Sequence, residues 1–435
     1  MRLTVYRGTH EIGGNCVEVA SDRARIVIDV GMPLVTAEGE PFNPATLRGK
    51  SAGELLETGT LPRVPGLFDA DAVAPDAILL SHAHADHFGL IQYSQPTVPV
   101  HLSRGTSKML LAGSIFAGQS GLKRERERLF RAEVPIEVGD LRITAFPVDH
   151  SAFDSHAFLI EDNGRRVLYS GDLRLHGRKP GMARRLIEAV TKEPVNLMLM
   201  EGTHFSPGRQ RGLTERELED EVVGHVQGSP GLVLAAFSPL HVDRLVTMYR
   251  AAKRTGRLFV VDPYAAFVMH LVASQAKIPR PTKEAGIRVC FNRHFEETCD
   301  RRGLKKVRGL FSDNQVAQAA ILAEPQRYMM TFRPSMLDWD FGGGVPNGAT
   351  CLYSFWSGYL DHPSWVRVRR CVESAGGQFI EAHTSGHIFA DDIIDFVEAI
   401  KPRRIVPIHT FEPERFRAVF PTAVTLQDGE PIQVE

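Results

Sequence analysis

A short apolar run ending directly on an acidic residue or a histidine occurs five times in this chain. Ile26-Val27-Ile28 leads to Asp29, residues 143–148 to Asp149 and His150, and Val167-Leu168-Tyr169 through Ser170-Gly171 to Asp172. Residues 197–200 lead to Glu201, and Ile405-Val406-Pro407-Ile408 to His409. Runs of this length, rich in β-branched and large apolar residues and bounded by turn formers, predict buried strands. A single aspartate at a strand end is a turn former as readily as a ligand. Five such ends gathered on one sheet edge would make a rigid, concave, water-accessible floor of polar groups, which is what a preorganised metal site needs.

The densest signal is Ser81-His82-Ala83-His84-Ala85-Asp86-His87, placed between the apolar Ile78-Leu79-Leu80 and Phe88-Gly89-Leu90. A strand running into a tight loop can aim His82 and His84 to one side. Asp86 and His87, opening the next helix, then face a neighbouring point. Three histidines and an aspartate so spaced suit two adjacent metal ions better than one.

Composition adds limits rather than a function. The formal net charge of -1 gives no global attraction to a polyanion, so any nucleic-acid site must be a local basic surface. Cys16, Cys290, Cys299, Cys351 and Cys371 are scattered without a C-x-x-C pair and predict reduced thiols rather than a disulfide framework. The first residues alternate like a strand and lack a leader's basic start and apolar run. The apolar stretches at 195–200 and 231–237 fall short of the roughly 18 residues that cross a bilayer. The expectation is a soluble, cytoplasmic protein without a membrane partner.

Two textures divide the chain. Residues 1–202 read mainly as strands, at 25–28, 77–80, 141–146, 166–169 and 196–200. From 203 strand and helix alternate: a helix at 214–226, a strand at 232–237, a helix at 241–254 and a strand at 258–261. Residues 376–435 return to the first texture, with a helix at 390–400 whose Ile393, Ile394, Phe396, Val397 and Ile400 share one face, and a strand at 404–408. The middle segment, 203–375, therefore reads as an α/β insertion.

The ordered series Asp29, His82-x-His84-x-Asp86-His87, His150 and Asp172 resembles the metallo-β-lactamase superfamily. Glu201, His387 and His409, arriving after a long insertion, resemble the added motifs of its nucleic-acid-processing β-CASP branch. His10-Glu11-Ile12-Gly13-Gly14-Asn15 and His383-Thr384-Ser385-Gly386-His387 are most similar to the ribonuclease J group. The resemblance implies an α/β fold, a metallo-β-lactamase αββα sandwich with an inserted α/β β-CASP domain. It implies two zinc ions, one held by His82, His84 and His150, the other by Asp86, His87 and His409, with Asp172 bridging. The ligand types leave manganese open. Asp29 and Glu201 are expected to accept hydrogen bonds from ligand histidines.

The implied activity is hydrolysis of phosphodiester bonds by a hydroxide that both metals activate, 5' to 3' exonucleolytic with endonucleolytic cutting open. Asp86 would orient the nucleophile and His387 would protonate the leaving oxygen. His383 and Ser385 would bind a second phosphate, as would Ser238 and Arg244 in the insertion. One of three basic clusters, at 123–131, 178–185 and 301–308, is expected to line the groove. RNA is the expected substrate ahead of single-stranded DNA. Only 26 residues follow His409, which predicts that the separate C-terminal domain of many relatives is missing and leaves a homodimer open. Thr410-Phe411-Glu412 departs from the Gly-Glu of close relatives. Two other readings are a hydrolase of a lactam, lactone or thioester and a non-catalytic nucleic-acid-binding paralogue.

Overall fold

The computed structural model describes residues 1–70, 72–206 and 211–435, with nothing said of the side chains of residues 293 and 294. It divides into two compact units. The first comprises Met1–Leu175, Lys179–Arg211 and Gly386–Glu435, and the second His176–Arg178 and Gly212–Ser385.

The first unit holds a seven-stranded and a six-stranded sheet. Their period-two pattern explains the packing: alternate residues of each strand point to opposite faces. Leu3, Val17, Ile26 and Leu79 of one sheet meet Ile143, Phe158, Val167, Leu197 and Val406 of the other in a single buried cluster. The reverse face of the second sheet presents Leu159, Leu168, Met198 and Met200 to Leu186, Ile393, Phe396 and Phe416. Those four come from helices Gly181–Val190, Ala390–Ile400 and Pro413–Val419. Each large apolar side chain so buried is worth about 1.5–3 kcal/mol against exposure.

Strand direction then decides where the polar ends fall. Arg25–Ile28 is parallel to Ala77–Leu79, and Arg165–Tyr169, Leu197–Glu201 and Arg404–Ile408 are mutually parallel neighbours. Leu141–Pro147 and Arg165–Tyr169 both run antiparallel to His156–Asp162, so they too share a direction. The carboxyl ends of these strands carry Asp29, the His82–His87 loop, His150, Asp172, Glu201 and His409.

The second unit is built on an all-parallel sheet of six strands. Their order is Ile287–Val289, Leu258–Val261, Tyr328–Thr331, Val233–Ala236, Thr350–Tyr353 and Gln378–Glu381. A parallel sheet needs cover on both faces. Leu218, Val222, Leu245 and Met248 pack on one side, and Trp365, Val368 and Val372 on the other. Helix Glu215–Gly228 starts where Thr214 and Glu217 form a capping box, one residue later than the apolar pattern indicates. Among the described residues no helix is long and apolar enough to cross a membrane, and the five cysteines are all free.

Candidate metal centre

Asp29 organises one side of the site. It stands just past its strand with φ 59°, a left-handed conformation that aspartate tolerates. Its Oδ1 accepts the Ser81 amide at 2.8 Å. Its Oδ2 accepts the Ser81 hydroxyl, the Tyr169 hydroxyl and His87 Nδ1, each at 2.7 Å. A carboxylate can only accept here, so His87 carries its proton on Nδ1 and turns Nε2 inward. The Ser81 hydroxyl also contacts His82 Nδ1 at 3.0 Å. One carboxylate thus fixes the base of the histidine loop and the tautomer of His87.

Three groups of ligand-type atoms result, two of which share Asp172. Of those two, His82, His84, His150 and Asp172 form one, and Asp86, His87, His409 and Asp172 the other, with the candidate ligand atoms of each within 4.8 Å of one another. Asp172 belongs to both. Its Oδ2 lies 3.1 Å from His87 Nε2, 3.7 Å from His82 Nε2, and 3.8 Å from both His150 Nε2 and His409 Nε2. Asp86 Oδ2 is 3.3 Å from His409 Nε2. The backbone carbonyl of Gly386 accepts from His150 Nδ1 at 2.6 Å, and the Thr203 hydroxyl contacts His409 Nδ1 at 2.8 Å.

The residues fit a pair of divalent cations. Nε2 of His82, Nε2 of His87 and both carboxylate oxygens of Asp172 are buried without a hydrogen-bond partner. Such atoms, apart from the His87 Nε2–Asp172 Oδ2 pair at 3.1 Å, would be costly to bury without a cation to receive their lone pairs. Burial favours the neutral, ligating form at three histidines, whereas at His87 burial is outweighed by Asp172 and Asp29, which raise it well above the ordinary histidine range. Burial, with neighbouring imidazoles adding to it, holds His82 and His150 well below the ordinary histidine range, and burial lowers His84 to about 4. These rings are therefore neutral and ready to ligate. Burial opposes charge on Asp172, but His409, His87 and His387 outweigh it and keep the carboxylate ionised.

His387 belongs to neither of these two groups but forms the third with Glu201 and His409. Its Nδ1 lies 3.2 Å from both oxygens of Glu201 and 3.8 Å from Asp172 Oδ2. Burial disfavours its charge, yet Glu201 and Asp172 prevail and push it up to about 9. The structure corrects one expectation. Glu201 was expected to hold a ligand histidine, but it faces His387, and the Thr203 hydroxyl faces His409. The carboxylate has gone where a charged imidazole can be matched. Asp86 and His387 keep 13% and 20% of their side chains exposed, whereas His82, His87, His150 and His409 are sealed.

The segment His10 to Asn15 has a steric part in this arrangement. The Asn15 amide donates to the Asp86 carbonyl at 3.2 Å. A Cβ on Gly13, which sits at φ 85°, would come 2.9 Å from the Asp86 Cβ, and one on Gly31 would lie 1.9 Å from the Asp86 carbonyl oxygen. Asp86 is therefore seated against bare backbone.

The proposed substrate residues divide differently. Arg244 is fully buried, its guanidinium bonded to Glu215, Ser354 and the Thr384 carbonyl. Arg244, expected to bind phosphate, is paired with buried Glu215, whose burial demands a buried cation. Its Nη1 also lies 3.3 Å from His383 Nδ1, and the Ser385 carbonyl meets His176 Nε2 at 2.9 Å. The loop holding His383 and Ser385 is thus braced from beneath by Arg244 and His176. The Ser238 hydroxyl accepts the Leu240 amide at 3.3 Å in the turn before helix Val242–Arg254.

Residues that the sequence reasoning passed over are Ser81, Tyr169, Thr203 and Gly31. Ser81 and Tyr169 lie inside the motifs, so adjacency was the available signal. Nothing in the sequence singles out Thr203.

Two paired sheets carry this cluster at their carboxyl edge, and two stretches of the chain are similar to known metallo-hydrolase domains. Residues 51–248 match the family model of the beta-lactamase superfamily domain, and residues 379–417 that of the Zn-dependent metallo-hydrolase RNA specificity domain. Among curated relatives, an RNase J-like protein of Methanocaldococcus jannaschii is 24% identical over 276 residues, 60% of this chain and 57% of that protein. Ribonuclease J of Helicobacter pylori is 26% identical over 189 residues, 40% of this chain and 23% of its own. Ribonuclease J of Mycobacterium tuberculosis is 23% identical over 435 residues, 94% and 68% of the two chains. The chain thus matches less than two thirds of the length of the first two. A crystal structure of an Enterococcus faecalis V583 protein of unknown function shares the fold, with a TM-score of 0.79, 22% identity and 99% of each chain covered.

Proposed function

We propose that this chain is a metal-dependent nuclease that hydrolyses phosphodiester bonds of RNA, acting from the 5' end. The observation that carries the reading is the pair of four-residue groups sharing Asp172, with four buried ligand atoms lacking any other partner. His82, His84 and His150 would hold one zinc ion, and Asp86, His87 and His409 the other. When bound, the two cations supply Lewis acidity, an activated water and neutralisation of charge on the phosphoryl oxygens.

The side chains divide the remaining work. Asp86, partly exposed, orients the attacking water. Glu201 holds His387 through Nδ1, which leaves Nε2 as the ring atom that delivers a proton to the leaving oxygen. His383 and Ser385 bind a terminal phosphate. The RNA specificity domain match and the ribonuclease names of the relatives support RNA as substrate and disfavour a lactam, lactone or thioester. The intact ligand set likewise disfavours a non-catalytic paralogue. A cytoplasmic location and the division into 1–202, 203–375 and 376–435 belong to the same reading; the two compact units follow that order but extend the inserted unit over Gly212–Ser385, because strand Gln378–Glu381 pairs with Thr350–Tyr353.

The test is incubation of purified protein and metal with 5'-monophosphorylated and 5'-hydroxyl strands of RNA and DNA, with products resolved by length over time. Mononucleotide release from monophosphorylated RNA is expected. Strands left intact under all metals tried would contradict the reading.

A further inference from the structure

Outside the metal centre, the outer face of helix Val242–Arg254 carries an unusual concentration of positive charge. A cleft of about 420 Å³ is lined by Arg178, Arg216, Arg250 and Arg254 against Glu219 and Asp220. A second cleft of about 450 Å³ shares Arg250 and adds Lys253, Lys277 and Arg280 against Glu284. Seven cations face three carboxylates, and those carboxylates are already engaged. Glu219 is gripped by Arg178 at 2.6 Å and Arg254 at 3.3 Å, Asp220 by Arg254 at 2.7 Å, and Glu284 accepts the Tyr249 hydroxyl at 3.3 Å. Arg216, Lys253 and Lys277 are exposed and make no ion pair or side-chain hydrogen bond among the described residues. The Arg178 Nε is buried with no partner.

An internal ion-pair network accounts for Glu219 and its arginines, but not for the surplus. Two adjoining basic clefts joined through Arg250 suit a repeating anion better than a single one. Arg250 and Arg254 are four residues apart, about 6 Å along the axis. Ile278 and Pro279 add apolar surface in the second cleft. We propose that this face is a binding track for the sugar–phosphate backbone of single-stranded RNA. The inference rests on the nuclease reading and adds to it a surface lying wholly in the second unit. Such a track holds long substrates by sequence-independent charge contacts.

The test compares the wild type with Arg216→Ala/Lys253→Ala/Lys277→Ala, and with a control of equal charge change, Arg23→Ala/Arg63→Ala/Lys192→Ala. A strand of about 30 nucleotides and one of about 5 are used across a salt series. For the track variant, affinity for the long strand falls about ten-fold, and the slope of log K against log salt shallows by about two, near 0.7 per lost phosphate contact. The ratio of kcat/KM for long over short substrate falls in parallel. The control keeps the wild-type slope. A track variant with wild-type slope and affinity overturns the proposal, as does inorganic phosphate displacing the long strand at micromolar concentration, which would indicate a small-anion site. Thermal melts establish that each variant folds, and Arg216→Gln alone, expected to shallow the slope by about 0.7, serves if the triple variant does not. A wild type that neither binds nor cleaves any strand refutes the nuclease reading itself.

Discussion

Asp29→Asn isolates what the carboxylate beneath the histidine loop contributes. Asparagine tolerates the left-handed backbone that Asp29 adopts, so the change is confined to the side chain. The carboxylate accepts four donors, one on Oδ1 and three on Oδ2. An amide has a single oxygen. Placed toward the three donors, it sets its NH2 against the Ser81 amide, and flipped, it opposes His87, Tyr169 and the Ser81 hydroxyl. The better choice still leaves one buried donor unsatisfied, costing about 1–3 kcal/mol, and turns three charge-assisted bonds into neutral ones, losing about 1 kcal/mol each. The expected loss of stability is therefore about 4–6 kcal/mol. Metal affinity falls roughly 10- to 100-fold, because His87 loses the partner that fixes its tautomer. Chelator-competition titration reads the affinity, and melting with and without EDTA reads the stability. Tyr169→Phe, which deletes one of the four bonds, should cost only about 1.5–2 kcal/mol. Metal affinity of Asp29→Asn within two-fold of wild type would refute the argument.

Other outcomes follow from single sites. Gly31→Ala should displace Asp86, since the new methyl would occupy the space of its carbonyl, and metal content measured after dialysis should drop. His387→Gln should lower kcat by about 10²–10⁴ while metal content stays at the wild-type level, and a matching loss of metal would make it a ligand instead. Arg244→Met takes from buried Glu215 the guanidinium that pairs with it and should cost about 3–5 kcal/mol by chemical denaturation, far more than loss of an exposed arginine. Asp340 is 6% exposed, and burial raises its carboxyl to about 6. Its folded pKa exceeds the unfolded one, so its own contribution to stability is fully present below about 4 and is lost as pH rises through about 6. Asp340→Asn, still able to meet Asn292, should raise Tm by about 2–4 °C at pH 7 and by little at pH 4.

The elements legible in the sequence were those whose pattern is local. Strands at Arg25–Ile28, Leu258–Val261 and Arg404–Ile408 and the helix Ala390–Ile400 fall where apolar periodicity predicts them. The seven ligand-type residues were visible because each follows a strand, and parallel strands bring their ends together. What was hidden depends on contacts distant in sequence. Glu201 and His387 are 186 residues apart, and only the fold turns that carboxylate toward His387 rather than a ligand histidine. Arg244 looks like a solvated helix arginine until Glu215 is seen buried beside it. The basic track draws on Arg216, Arg250 and Lys277, none of which lies in the three basic clusters read from the sequence, and on Arg178, which belongs to the cluster at 178–185.

The most direct test is elemental analysis of purified protein run alongside RNA cleavage. The structure predicts about two transition-metal equivalents per chain, with cleavage lost on chelation and regained on adding metal back. Asp172→Ala, which removes the carboxylate common to both groups, should lower the metal content toward zero and abolish cleavage together. Full activity in protein carrying no transition metal would contradict the account.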